Sequence, residues 1–164
     1  MIGNDIVDLA LAKKESNWKR KGFLDKIFTP QEQLLIYNAI NPEVMVWNLW
    51  SRKEAAYKIY NRETQIRAFI PLKLICYFEN ETLGTVICNE ILYYTQTKIS
   101  EQYIHSIAVI KKEYFNEIKT LDSNAKIIKK NGIPFIIDEQ TKIEKPVSIS
   151  HHGRFWKGVM LPIK

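Results

Sequence analysis

The chain has 164 residues, of which 46% are hydrophobic and 26% charged, with a formal net charge of +6. That is one domain's worth of sequence, with enough apolar residues for a core without disulfide staples, and it argues against a disordered chain. The excess of 24 Lys and Arg over 18 Asp and Glu favours an anionic partner: nucleic acid, an acidic protein or a phosphate-rich ligand.

The first residues, MIGNDIVDLA, have no basic stretch ahead of a long apolar run and do not read as a signal peptide. The apolar runs elsewhere are far shorter than a membrane span. Residues 2–9, IGNDIVDL, predict a strand. Residues 10–27 are polar and basic with scattered apolar positions, which suggests a short helix and a loop. Thr29-Pro30-Gln31-Glu32 is a helix start, with Thr29 as N-cap, Pro30 at the first position and Glu32 at the third. That helix runs to about Ala39. Asn41-Pro42-Glu43 repeats the signal, and Val46, Leu49, Trp50 and Tyr57 recur at helical spacing up to a stop near Asn61.

The composition then changes. LKLICYF, TVICNEILYYTQT and YIHSIAVI are rich in Ile, Val, Tyr and Thr and predict strands of an antiparallel sheet. Asn80-Glu81-Thr82 is a hairpin loop. Residues 113–130 have no clear period, with a helix as one reading. Asn131-Gly132 marks a turn, IPFIID a strand, PVSISH a strand ending at His151, and Phe155–Ile163 a last strand. Cys76 and Cys88 lie in apolar segments without ligand-like spacing and read as reduced core residues of a cytoplasmic protein. The order of elements predicts an α+β fold, with an antiparallel sheet packed on a long helix, in one domain spanning 1–164.

Three clusters could carry chemistry. Asp5 shares a strand face with Gly3, Val7 and Leu9. A carboxylate on an apolar face must be paired, hydrogen-bonded or cation-bound, and the plain alternative is a cap on the next helix. Glu54 and Lys58, four apart, share a helix face. Together they could offer carboxylate oxygens to a hard cation and positive charge to a pyrophosphate, or they could be an ordinary exposed ion pair. Ser148-Ile149-Ser150-His151-His152-Gly153 puts polar side chains at a strand end, suited to a phosphate or to an ordinary turn. No nucleophile elbow accompanies it, and adjacent histidines do not make a tetrahedral zinc site.

Ile2-Gly3-Asn4-Asp5-Ile6-Val7-Asp8, Trp50-Ser51-Arg52-Lys53-Glu54-Ala55-Ala56-Tyr57-Lys58 and Val147-Ser148-Ile149-Ser150-His151, in this order, resemble the signature of the 4′-phosphopantetheinyl transferases. Phe28-Thr29-Pro30-Gln31-Glu32 and Asn131-Gly132-Ile133-Pro134-Phe135 resemble a helix start and a hairpin of the same family. The resemblance covers 2–61 and 131–162, and the order is that of the holo-acyl-carrier-protein synthase branch, which implies a single structural repeat. Residues 62–130 form a longer, poorly aligned middle. Trp50-Ser51 looks more like the larger two-repeat branch, while Val7 stands where that branch has a second acidic residue.

The resemblance implies transfer of phosphopantetheine from coenzyme A to a serine of an apo acyl or peptidyl carrier protein, with release of 3′,5′-ADP. It implies Mg²⁺ on Asp5 and Glu54, catalysis by Glu54 and Lys58, and nucleotide or phosphate contacts from Lys58, Ser150 and His151. It also places the acidic helix of the carrier against the basic cluster Lys13, Lys14, Lys19, Arg20 and Lys21, which could otherwise be only a solvated face. A homo-oligomer, a trimer above all, is expected if His151 of one chain must meet Asp5 and Glu54 of the next. The rival classes are a carrier-binding relative without catalysis, which would lack the carboxylates, and a basic nucleic-acid-binding domain, for which no motif is present.

Overall fold

The structure is a computed structural model that describes residues 1–138 and 140–162. The chain opens with β1 (Ile2–Asp8) and continues into α1 (Leu9–Glu15), α2 (Phe23–Ile27), α3 (Pro30–Asn38) and α4 (Pro42–Thr64). Nine strands follow: β2 (Ile75–Phe78), β3 (Leu83–Cys88), β4 (Ile91–Ile99), β5 (Tyr103–Val109), β6 (Lys119–Leu121), β7 (Ile128–Lys130), β8 (Ile133–Ile137), β9 (Glu144–His152) and β10 (Phe155–Met160).

Local chemistry sets the helix ends. At the start of α3, Thr29 Oγ1 accepts from the Glu32 N–H, and Glu32 Oε2 accepts from the Thr29 N–H, closing a capping box. Asn41 Oδ1 accepts from the Val44 N–H to start α4, with Pro42 as its first residue. The far end of α4 runs past the expected Asn61 to Thr64, where Gln65 turns left-handed at φ 61° and its N–H reaches the Asn61 carbonyl. The segment after β1 holds two short helices where one helix and a loop were expected.

All strand pairing is antiparallel, in two five-stranded sheets of order β1-β5-β4-β3-β2 and β6-β10-β9-β8-β7. The α+β expectation holds, but a second sheet replaces the single one foreseen. α4 lies across the first sheet. Val46, Leu49, Ala55, Ala56 and Ile59 of the helix, with Val86, Tyr93, Ile104 and Ala108 of the strands, form the main core. Gly3 lets β1 approach α4 closely: a Cβ there would sit 2.0 Å from the Ala55 carbonyl oxygen. Cys76 and Cys88 are buried free thiols in this core.

The second sheet meets the first along the free edge of β1. The N–H groups of Asn4, Ile6 and Asp8 donate to Ser148 Oγ at 2.9 Å, Ser150 Oγ at 3.2 Å and His152 Nδ1 at 2.8 Å. Alternate residues of β1 and alternate residues of β9 advance together. Side chains of β9 therefore satisfy the outward N–H groups that a neighbouring strand would otherwise take.

Four further expectations are corrected. TVICNEILYYTQT is a hairpin, because Asn89 and Glu90 take φ 47° and 67° and form a two-residue loop between β3 and β4. Pro71–Lys73, at the head of the run expected as one strand, is a 3₁₀ turn, and β2 begins at Ile75. Residues 113–130 form no long helix: a 3₁₀ turn at Lys112–Glu117 leads to β6 and β7, both edge strands. The last strand stops at Met160, and Ile163 lies outside the described residues.

Candidate functional site

A cavity of about 470 Å³ opens between β1, α1, α4 and β9 and is lined by Asp5, Glu54, Lys58, Ser150 and His151 among others. The close approach at Gly3 puts the middle of β1 against the second half of α4. The β1–β9 ladder then brings Ser150 to Asp5, so that Ser150 Oγ donates to Asp5 Oδ1 at 2.9 Å while accepting the Ile6 N–H. The five residues expected from the sequence as metal, catalytic and nucleotide ligands thus line one cavity of one chain. A larger cleft, about 1010 Å³, lies between β4, β5, β6 and β10; among acidic residues only Glu81 and Asp122 line it, and neither approaches this site.

The Glu54–Lys58 pair is not the ordinary helix ion pair. Lys58 Nζ turns towards β1 and β9, donating to the Asn4 carbonyl at 2.7 Å and the Ile149 carbonyl at 3.3 Å, with Asp5 Oδ1 at 3.5 Å. Glu54 accepts no hydrogen bond and makes no ion pair among the described residues. Burial first, and the charge of Asp5 second, push its pKa up to about 7, against the pull of Lys58. Burial also raises Asp5, opposed by Lys58, by Ser150 and by the Ile6 N–H. Two such carboxylates facing one cavity are stabilised when a cation comes between them. With no third His, Cys, Asp or Glu joining them among the described residues, they suit Mg²⁺, which commonly takes one or two carboxylates and completes its shell with water and substrate phosphate.

Most of the rest of the wall is apolar. Val7, Ala12, Trp47 and Trp50 line one side. Trp50 and Tyr57 both pack edge-on against Phe69, with centroids 5.5 and 5.1 Å apart. Beyond Lys58 and Ile149, which line both spaces, a second cavity of about 190 Å³ is bounded by Tyr57, Arg62, Lys129, Gly132 and Pro134, with no acidic residue. Arg62 Nη2 donates to the Val147 carbonyl at 2.5 Å and the Pro134 carbonyl at 3.3 Å, while its Nε and Nη1 are buried without a partner among the described residues. Arg62 and Lys129 carry no motif, so the sequence did not flag them.

Lys13 and Lys14 lie in the last turn of α1, and Lys19, Arg20 and Lys21 in the following loop; all five are exposed. Ala12 and Ser16, on the same segment, line the cavity, so Lys13 and Lys14 lie on an element that walls it. His152 was missed as a partner of β1 because its place depends on alternation along β9, not on the Ser-His motif.

The model of the 4′-phosphopantetheinyl transferase superfamily matches residues 1–114. The chain belongs to that superfamily. The match takes in residues 62–114, which the motifs left unaligned, and ends before the second sheet. Among solved structures the chain resembles the holo-[acyl-carrier-protein] synthase of Neisseria meningitidis, at 20% identity and a TM-score of 0.56, over 68% of this chain and 97% of that one. It also resembles the Helicobacter pylori enzyme of the same name in complex with coenzyme A, at 16% identity and a TM-score of 0.51, over 66% of this chain and 98% of that one. These likenesses establish the fold. No curated protein sequence matches the chain. No helix among the described residues is long and apolar enough to cross a membrane.

Proposed function

We propose that this transferase moves the 4′-phosphopantetheine arm of coenzyme A to a serine of an apo acyl or peptidyl carrier protein, with Mg²⁺, and releases 3′,5′-ADP. The observation that carries the proposal is the convergence of Asp5, Glu54, Lys58 and Ser150 on one cavity beside a separate cationic one. A non-catalytic relative would have no need of two carboxylates facing one cavity, one of them without a hydrogen-bond partner among the described residues, and a nucleic-acid-binding domain would not bury them.

In this reading Asp5 and Glu54 hold the cation, which supplies positive charge to the pyrophosphate as its bond breaks. Coenzyme A lies along α4. Its pyrophosphate meets Lys58, and its phosphorylated nucleotide extends past Ser150 and His151 towards Arg62 and Lys129. The carrier serine oxygen attacks the β-phosphorus. A new P–O bond forms, the bridging P–O bond breaks, and its electron pair leaves with 3′,5′-ADP. Lys58, fixed by two carbonyls, faces the departing phosphate and stabilises its charge. The serine proton passes to Glu54 or to a water in the cavity. Trp47, Trp50 and Val7 give the pantetheine arm an apolar wall.

The two sheets act as one catalytic unit. The trimer expectation supposes His151 of one chain beside Asp5 and Glu54 of the next; within one chain Ser150 Oγ donates to Asp5 and His151 lines the same cavity. The reading is tested by chromatography of coenzyme A incubated with the protein. 3′,5′-ADP should form only when Mg²⁺ and an apo carrier protein are both present; formation without carrier, or none with a panel of apo acyl and peptidyl carriers, contradicts it.

A further inference from the structure

Asp8 closes β1 with its side chain buried, yet it belongs to neither the metal pair nor the cavity wall. Its Oδ1 accepts from the Ala10 and Leu11 N–H groups at 3.1 and 3.4 Å, capping α1. The same carboxylate takes Arg154 in a fork, Nε to Oδ2 at 2.9 Å and Nη2 to Oδ1 at 2.8 Å, together with the Arg154 backbone N–H at 3.1 Å. Its own N–H is held by His152 Nδ1. Gly153 makes room: at φ 52°, a Cβ there would fall 2.5 Å from Asp8 Oδ2. One residue therefore joins the end of β1, the first turn of α1 and the β9–β10 turn. A bidentate arginine–carboxylate pair fixes orientation as well as distance.

The elements it joins are two walls of the cavity mouth. α1 contributes Ala12 and carries Lys13 and Lys14 on its exposed face, while β9 contributes Ser150 and His151. α1 is only seven residues long, too short to hold its orientation through its own hydrogen bonds. We propose that Asp8 and Arg154 are positioning residues that latch α1 to the β9–β10 turn and so set the mouth through which the protein substrate enters, without touching the reacting atoms. The inference rests on the transferase reading for its kinetic consequence, but not for its structural one.

Three variants separate the latch from the cap. Asp8→Asn can still cap α1 but loses the charged fork; Arg154→Ala loses the fork from the other side; the double variant removes nothing more. Each should raise KM for a purified apo acyl carrier protein about tenfold, as expected for losing one charge-assisted pair, and leave kcat and KM for coenzyme A within about twofold. The double variant should be no worse than either single, because one interaction is lost in all three. Arg154→Lys, which keeps the charge without the fork, should recover only part of the effect. Amide hydrogen exchange on the same proteins, read without substrates, should accelerate in 9–15 and 150–156 and not in α4. Equal effects on both substrates, additive losses, or unchanged exchange in α1 would overturn the latch. If the wild-type protein transfers nothing to any carrier, the exchange result alone decides: local acceleration keeps the latch while the transferase reading falls, and unchanged exchange removes both.

Discussion

Glu54 concentrates the conflict between stability and chemistry in this chain. It is a mostly buried carboxylate without a hydrogen-bond partner among the described residues, and its pKa is pushed up to about 7. Glu54→Gln keeps its shape and removes its charge. The variant should lose at least about 100-fold in transfer rate and gain about 1 kcal/mol of stability in the absence of metal, read by urea denaturation. Mg²⁺ should raise the Tm of the wild-type protein and leave that of the variant unchanged. A variant that is both active and less stable would return Glu54 to an ordinary surface role.

His105 gives a pH effect of defined sign. Burial, with Lys157, Lys58 and Lys98 nearby, lowers its pKa to about 4, and its Nε2 lies 3.2 Å from Asn4 Nδ2. The unfolded chain takes up the proton near the ordinary histidine value, well before the folded one does. The histidine's contribution to stability is therefore constant above about pH 6.5 and falls as the pH drops towards about 4, by on the order of 3 kcal/mol. His105→Gln should flatten the stability profile across that window; a profile as steep as wild type would show that other groups control it.

Among the elements, the ladder between β1 and β9 is the feature on which the site most depends. Ser148→Ala or Ser150→Ala leaves a buried N–H of β1 without its acceptor and should cost about 1–3 kcal/mol, measured by chemical denaturation. Ser150→Ala should also change transfer kinetics through Asp5, whereas Ser148→Ala should act mainly on stability.

The ladder also shows where reading the sequence reaches its limit. α3 and α4 were legible because capping is local chemistry: Thr29 with Glu32, and Asn41 with Pro42. Asp5 and Gly3 were legible as a strand pressed against something close. The loop at Asn89-Glu90 was not, because neither residue is the glycine that usually marks left-handed turns. Residues 113–130 were not, because β6 and β7 are three-residue edge strands whose pairing comes from the second sheet. Ser150 and His151 were placed in the site by motif alone. That Ser150 bonds Asp5 and His151 lines the same cavity follows from contacts between distant segments, which no local pattern encodes.

At the scale of the whole molecule, the second sheet lies beyond the region matched by the family model, yet it supplies Ser148, Ser150 and His152 to the edge of β1 and His151 to the cavity wall. A site built within one chain predicts that inactive Glu54→Gln chains mixed with Ser150→Ala chains show no more activity than the Ser150→Ala chains alone, whatever their state of assembly. Recovered activity in the mixture would show that β9 reaches across to a neighbour instead.

The most direct measurement is the intact mass of an apo carrier protein after incubation with this protein, coenzyme A and Mg²⁺, followed by fragmentation to locate the change. The account predicts a gain of one phosphopantetheine on a single carrier serine, absent when Glu54→Gln replaces the wild-type chain. A panel of apo carriers left unmodified by wild-type protein, or modified equally by the Glu54→Gln variant, would contradict it.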